Sequence, residues 1–179
     1  MSENRNFNAL RVYKEEDGVR SEVEECTTAD LPEGDLLLQV EYSDLNYKDA
    51  LSARGRPGVT KRYPHTPGID AIGQATEKSG SYEEGTPLIV TGFDLGMNTW
   101  GGFGEYVQVP SSWALPLPEG LSSRDAALYG TAGLTAGLAV DAIVSAGARP
   151  DGGPILVTGG TGGVGALAVG ILSRQGYSV

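Results

Sequence analysis

Two short segments carry residues whose types and spacing could do chemistry. The first is Gly159-Gly160-Thr161-Gly162-Gly163-Val164-Gly165, in which Gly160, Gly162 and Gly165 satisfy G-x-G-x-x-G. In that pattern the first glycine permits a tight turn, the second lets backbone approach a pyrophosphate, and the third lets a helix pack closely on a strand. The free amides of the helix that follows, reached through Thr161, Gly163 and Val164, then face the phosphates at the positive end of the helix dipole. A glycine-rich chain meets this pattern by chance, so its setting decides. Ile155-Leu156-Val157-Thr158 precedes it as a β-branched run, and an apolar helix follows from Val164 to about Gln175. Strand, glycine turn and helix open a βαβ unit, with Tyr177-Ser178-Val179 as the start of its second strand. No Lys-Ser or Lys-Thr follows the glycines, which excludes a P-loop nucleotide hydrolase. A ribose-reading acid or base is expected about 20 residues after the loop begins. The sequence stops short of it, so these residues do not choose between NAD and NADP.

The second segment is Leu45-Asn46-Tyr47-Lys48-Asp49-Ala50-Leu51. Tyr47 could orient a nicotinamide ribose or donate a proton, since a phenol is a donor at neutral pH; the bland alternative is an amphipathic core tyrosine. Asn46 could hydrogen-bond the nicotinamide or an acceptor carbonyl, or merely stabilise a loop. Asp49 could act chemically, cap a helix or pair with Lys48. Thr131, in Gly130-Thr131-Ala132-Gly133, could reach the nicotinamide amide or cap a helix. His65, the chain's single histidine, lies in a loop and reads as structural. Arg54, Arg56, Lys61 and Arg62 form the one basic cluster, suited to phosphates such as those of coenzyme A, or to plain solvation. Cys26 sits among Glu22, Glu24 and Glu25, whose charge disfavours a thiolate nucleophile.

These residues need elements to position them. Up to about residue 120 the chain reads as short strands between turns: Asn8 to Tyr13, Leu36 to Tyr42, Ile69 to Ala75, Pro87 to Thr91 and Tyr106 to Val109. That pattern predicts a barrel-like β domain over residues 1–121. From Ser122-Ser123-Arg124-Asp125, a capping sequence, two Ala- and Gly-rich helices run to about Ser145, and residues 122–179 form the start of a second, α/β domain. The fold class is therefore α/β with a β-rich domain. Net charge is −10 over 179 residues, without a basic block, which argues against nucleic acid and anionic membrane as partners. No run of about 18 apolar residues is evident, nor a signal-peptide core, and one cysteine makes no internal disulfide. A soluble cytoplasmic protein is expected.

The Asn46–Asp49 segment, Pro67-Gly68-Ile69-Asp70, Trp100-Gly101-Gly102, Gly130 to Ala136 and Val157-Thr158-Gly159 occur in an order that resembles the YhdH-type quinone oxidoreductases, also known as acrylyl-CoA reductases. The resemblance covers essentially the whole chain. It implies a GroES-like β-barrel domain, then the truncated start of a Rossmann fold, with the active site in the cleft between them. It implies NADPH as hydride donor and a small enoyl thioester or quinone as acceptor; the sequence does not give the oligomeric state, and a homodimer at full length stays open. Tyr47 takes the place of the family's cofactor-contacting tyrosine. Zinc-dependent members of the wider superfamily resemble this chain except at their ligands: their cysteine falls on Asn46 and their histidine on Ile69. With one Cys and one His in the chain, no zinc site can be assembled, so the acceptor must be polarised by hydrogen bonds. That favours reduction of a C=C bond conjugated to a carbonyl, acrylyl-CoA to propionyl-CoA. Quinone reduction and NADPH binding without turnover are the alternatives. A Rossmann sheet halted at its second strand leaves an open edge, so residues 1–179 alone are expected to bind NADPH weakly or aggregate.

Overall fold

The structure, a computed structural model, describes residues Asn4 to Val179. β1 (Asn6–Glu15) and β2 (Gly18–Thr27) form an antiparallel hairpin. β3 (Leu36–Tyr42), β4 (Asp70–Ala75), β5 (Pro87–Thr91), β6 (Tyr106–Val109) and β7 (Ala114–Pro116) form an antiparallel sheet in the order β6-β3-β4-β5-β7. Bridges from Ala9 to Gly104 and from Val12 to His65 lay the hairpin against the rest of this unit. The expected β barrel is thus a five-stranded sheet with a two-stranded flap.

β3 and β4 lie inside the sheet, and their leading residues are buried on both faces. Leu36, Leu38, Ala71, Leu88, Val90 and Val107 share one core cluster. Each of the larger side chains contributes about 1.5–3 kcal/mol by leaving water. β2 has no such run, because most of its residues are exposed, Arg20, Glu22 and Glu25 among them. Backbone pairing with β1 holds it, helped by Arg11–Glu24 and Arg20–Glu15 ion pairs. Without an apolar period it left no signal in the sequence.

α1 (Tyr47–Ala53) is a short helix between β3 and β4. α2 (Ser123–Ser145) begins at Ser122, whose Oγ accepts the Asp125 amide at 3.1 Å. Gly130, at φ 43 and ψ −146, breaks α2 into the two helices expected there. By length and composition α2 could cross a membrane, which corrects the expectation that no such stretch exists. The break leaves neither piece near the roughly 20 residues that spanning requires.

Residues up to Leu128 make one compact unit and Tyr129–Val179 another. The division falls within α2 because Ala126 and Ala127 are buried in a cluster with Ile72 of β4. In the second unit the later part of α2 packs on α3 (Gly163–Arg174) through Ala136, Val140, Ala168, Leu172 and Tyr177. The run Ile155 to Thr158 is extended but is not a strand, nor are residues 177–179. A strand is defined by its ladder, and here the Ile155 amide to the Ser178 carbonyl, at 2.8 Å, is the one bond between these runs.

His65 shows how tightly the β unit is packed. It is 2% exposed, its Nε2 lies 2.6 Å from Ser52 Oγ, and its Nδ1 is buried with no partner among the described residues. Burial, with Arg11 nearby, lowers its pKa to about 4. The unfolded chain takes up this proton first. The stabilising contribution is therefore complete above about 6.5, and about 3 kcal/mol is lost as pH falls from there to about 4. The single imidazole in a proton NMR titration should start to shift only below pH ~5.5; a midpoint near the ordinary ~6.5 would disprove its burial as a neutral group.

Candidate functional site

The β unit builds a compact polar site around the start of α1. Asn46 is the cap residue, in extended conformation, and Asp49 occupies the third helical position. Asp49 is 1% exposed. One carboxylate oxygen accepts the Asn46 amide at 2.8 Å; the other accepts the amides of Gly68 at 3.1 Å and Ile69 at 2.9 Å. Burial raises its pKa while those three amides pull the other way. Asp49 thus ties the helix start to the segment leading into β4.

This tie brings Asn46 to Asp70, the first residue of β4 and fully buried. The Asn46 amide nitrogen donates to Asp44 at 2.6 Å and to Asp70 at 2.9 Å. The amide is oriented this way because its oxygen would repel both carboxyls. The Asp70 carboxyl, gathered on the same nitrogen, disfavours the ionised form of Asp44. Burial, then the hydrogen bond and charge of Asp70, raise the Asp44 pKa to about 7. Asp70 is sealed in, while Asp44 is partly exposed. The arrangement can store a proton and exchange it with solvent.

The glycines around the site are demanded by backbone contact. A Cβ on Gly102 would lie 2.0 Å from the Asp70 carbonyl oxygen, and one on Gly101 would lie 2.1 Å from that of Gly68. Tyr47, by contrast, is 81% exposed and available to a ligand. His65 is buried in packing. Ile69, also buried, supplies no ligand atom, and the Asn46 nitrogen is spent as a donor, so these positions do not form a zinc ligand set.

In the second unit the glycine loop leads into α3 at Gly162, without a side-chain cap. The first helical bond runs from the Ala166 amide to the Gly162 carbonyl, so the amides of Gly163, Val164 and Gly165 precede the ladder. Thr161, Gly162, Gly163 and Val164 are exposed. The tight turn is carried by Gly159, at φ 66, with the Gly162 amide on its carbonyl at 2.9 Å. A Cβ on Gly165 would stand 2.2 Å from the Gly159 oxygen, whereas one on Gly160 meets nothing closer than 3.9 Å. Thr131 begins the later part of α2, and its neighbour Ala132 lies 3.4 Å from where a Gly163 Cβ would be. The loop residues and Thr131 thus gather at the mouth of α3. Such a mouth fits a dinucleotide phosphate group.

Asp44 and Asp70 were not singled out from sequence as site residues. They stand 26 positions apart, and only the pairing of β3 with β4 brings them together. Their acid residue types were the sole available signal.

A β unit of this topology, followed by a glycine loop on a helix, defines a medium-chain dehydrogenase/reductase. The model of the alcohol dehydrogenase GroES-like domain matches residues 32–119. The chain belongs to the YhdH-type quinone oxidoreductase and acrylyl-CoA reductase family. It is similar to the acrylyl-CoA reductase AcuI of Ruegeria pomeroyi, 44% identical over 97% of this chain and 53% of AcuI. The putative quinone oxidoreductase YhfP of Bacillus subtilis is 42% identical over 97% of this chain and 53% of its own length. The crystal structure of the YhdH oxidoreductase from Salmonella enterica in complex with NADP superposes with a TM-score of 0.92 at 40% identity, covering 95% of this chain and 53% of that one. This chain spans about half the length of the curated relatives it matches.

Replacing Asp49 by Ala strands the buried amides of Gly68 and Ile69 and frees that of Asn46, so chemical denaturation should show a loss of about 3 kcal/mol or more, with Asp49→Asn losing less. A loss under about 1 kcal/mol for the alanine variant would show that the tie is dispensable.

Proposed function

We propose that the protein carrying this chain is an NADPH-dependent oxidoreductase that reduces the C=C bond of a conjugated carbonyl compound, acrylyl-CoA to propionyl-CoA. The observation that carries this reading is the proton-sharing group Asp44–Asn46–Asp70, supported by 44% identity to an acrylyl-CoA reductase. NADP(H) as cofactor is supported by the exposed loop before α3 and by the NADP complex of the Salmonella relative.

When bound, NADPH supplies the hydride, which adds to the β-carbon of the acceptor. The chain's own residues do the rest. The amides of Gly163, Val164 and Gly165 receive the diphosphate, with Gly160, Thr161 and Gly162 shaping the approach. Thr131 lies beside this mouth to bond the nicotinamide amide. Tyr47 contacts the cofactor from the exposed face of α1. Asn46 holds the carboxyl pair in register, and Asp49 positions Asn46. Reduction leaves negative charge on the acceptor's carbonyl side, and the proton that completes the product comes from Asp44–Asp70. Asp44 then recovers it from water. General acid transfer of this kind contributes about 10²–10⁴ in rate.

Quinone reduction is the second reading, favoured by the name of YhfP. Rates of NADPH oxidation with acrylyl-CoA against benzoquinone separate the two. With acrylyl-CoA, the acid form of Asp44 is the active one, so the rate should be full below pH about 7 and fall as pH rises through it. Asp70→Asn should cost about 100-fold or more in kcat. A pH-independent rate together with an unimpaired Asp70→Asn enzyme would remove the carboxyl pair from the chemistry. For the cofactor, Gly165→Val should weaken NADPH binding at least about tenfold, because its side chain must displace Gly159; Gly160→Ala should cost much less. Equal effects of the two would contradict this assignment of the loop.

A further inference from the structure

The basic residues near α1 are not absorbed by the reading above. The structure sorts them. Arg54 and Lys61 line a hollow of about 570 Å³ between the hairpin tip and the 54–63 loop, whereas Arg56 and Arg62 do not. Lys14, from the end of β1, joins the first two. A second hollow, lined by Tyr13, Lys14, Lys61, Tyr63 and Pro64, shares three of these residues and extends the first.

This hollow is built. Gly55, at φ 63, lies against Val19 so closely that a Cβ would stand 2.4 Å from its side chain. Thr60 is buried, its hydroxyl 2.7 Å from Ser52 Oγ, and the Lys61 amide donates to Asn98 at 3.0 Å. The loop is therefore pinned at both ends, with Arg54 capping the C-terminus of α1. Asn46 caps the other end of the same helix, about 12 Å away at 1.5 Å rise per residue.

The charges do not cancel. Among the described residues Lys14, Arg54 and Lys61 make no ion pair, while Glu15 on the same wall is engaged by Arg20. Glu16 is the remaining carboxylate of the lining. Three unpaired cations are thus concentrated in one concavity of a chain whose net charge is −10. Val19, Pro57 and Tyr63 give the same walls an apolar portion. Guanidinium and ammonium groups around such a space suit phosphate oxygens, and the volume exceeds what a bare phosphate fills.

We infer that this hollow is a phosphate-binding site for the phosphorylated end of a small ligand, with Lys14, Arg54 and Lys61 on the phosphates. The inference does not depend on the reduction reading, because binding is measured without turnover.

The test is isotope-edited NMR of the full-length protein carrying this chain, titrated separately with ADP, inorganic pyrophosphate and adenosine. ADP or pyrophosphate should shift the amides of Gly55, Gly58 and Lys61 saturably, less so at high salt, and adenosine should not. Tighter ADP than pyrophosphate assigns a nucleotide; equal affinity assigns the bare anion. The double variant Arg54→Gln/Lys61→Gln should weaken these shifts about tenfold or more while leaving those of Gly162 to Gly165 unchanged. Arg56→Gln/Arg62→Gln should change them little. Shifts confined to the 159–165 loop, or equal losses in both double variants, overturn the site in favour of diffuse surface charge.

Discussion

A buried carboxylate gathering three backbone amides is the constraint on which the candidate site rests. Asp49 accepts from Asn46 within its own turn and from Gly68 and Ile69 across the unit. Those two contacts fix the start of a seven-residue helix, too short to be stable alone, against the entry to β4. Because β4 is an inner strand buried on both faces, the helix inherits a rigid support. Asn46 is then held where one amide group serves Asp44 and Asp70 together. Remove the anchor, and the carboxyl pair loses its register before it loses any residue of its own.

Much of this was legible in the residues, for identifiable reasons. β3, β5 and β6 were bounded correctly because apolar β-branched runs with Pro or Gly at their ends mark buried strands. β2 was invisible because cross-strand pairing and ion pairs hold it, not burial. The run before the glycine loop read as a strand on its composition, yet a strand needs neighbours, and Leu156 remains 89% exposed. The glycine fingerprint located the loop. It did not show that Gly159 takes the left-handed turn and that Gly165 is the position where a Cβ would collide. Asp49 was weighed as chemical or capping, and its oxygens are both occupied by backbone amides. The Asp44–Asp70 pair depends on strand register, which single-residue reasoning does not reach.

Two titrating groups of opposite character coexist in the β unit. His65 is kept neutral by burial, so acid works against the fold through it. Asp44 is kept protonated by burial and by Asp70, so alkali works against it there. Between pH about 4 and about 6.5 the two effects oppose one another, and above that range only the loss of the Asp44 proton still works against the fold.

Cys26 has a consequence for the chemistry proposed. Conjugated thioesters and quinones are electrophiles that add to thiolates, and an exposed sulfur would be consumed by the compounds being reduced. The chain's single thiol is instead buried, clustered with Phe7 and Ala9 and flanked by Trp100 and Tyr106. Burial first, opposed by the Arg11 charge and helped by those of Glu24 and Asp30, pushes the thiol up and favours its unreactive acid form. The hairpin thus shelters the chain's single thiol from electrophiles of the class proposed as acceptors.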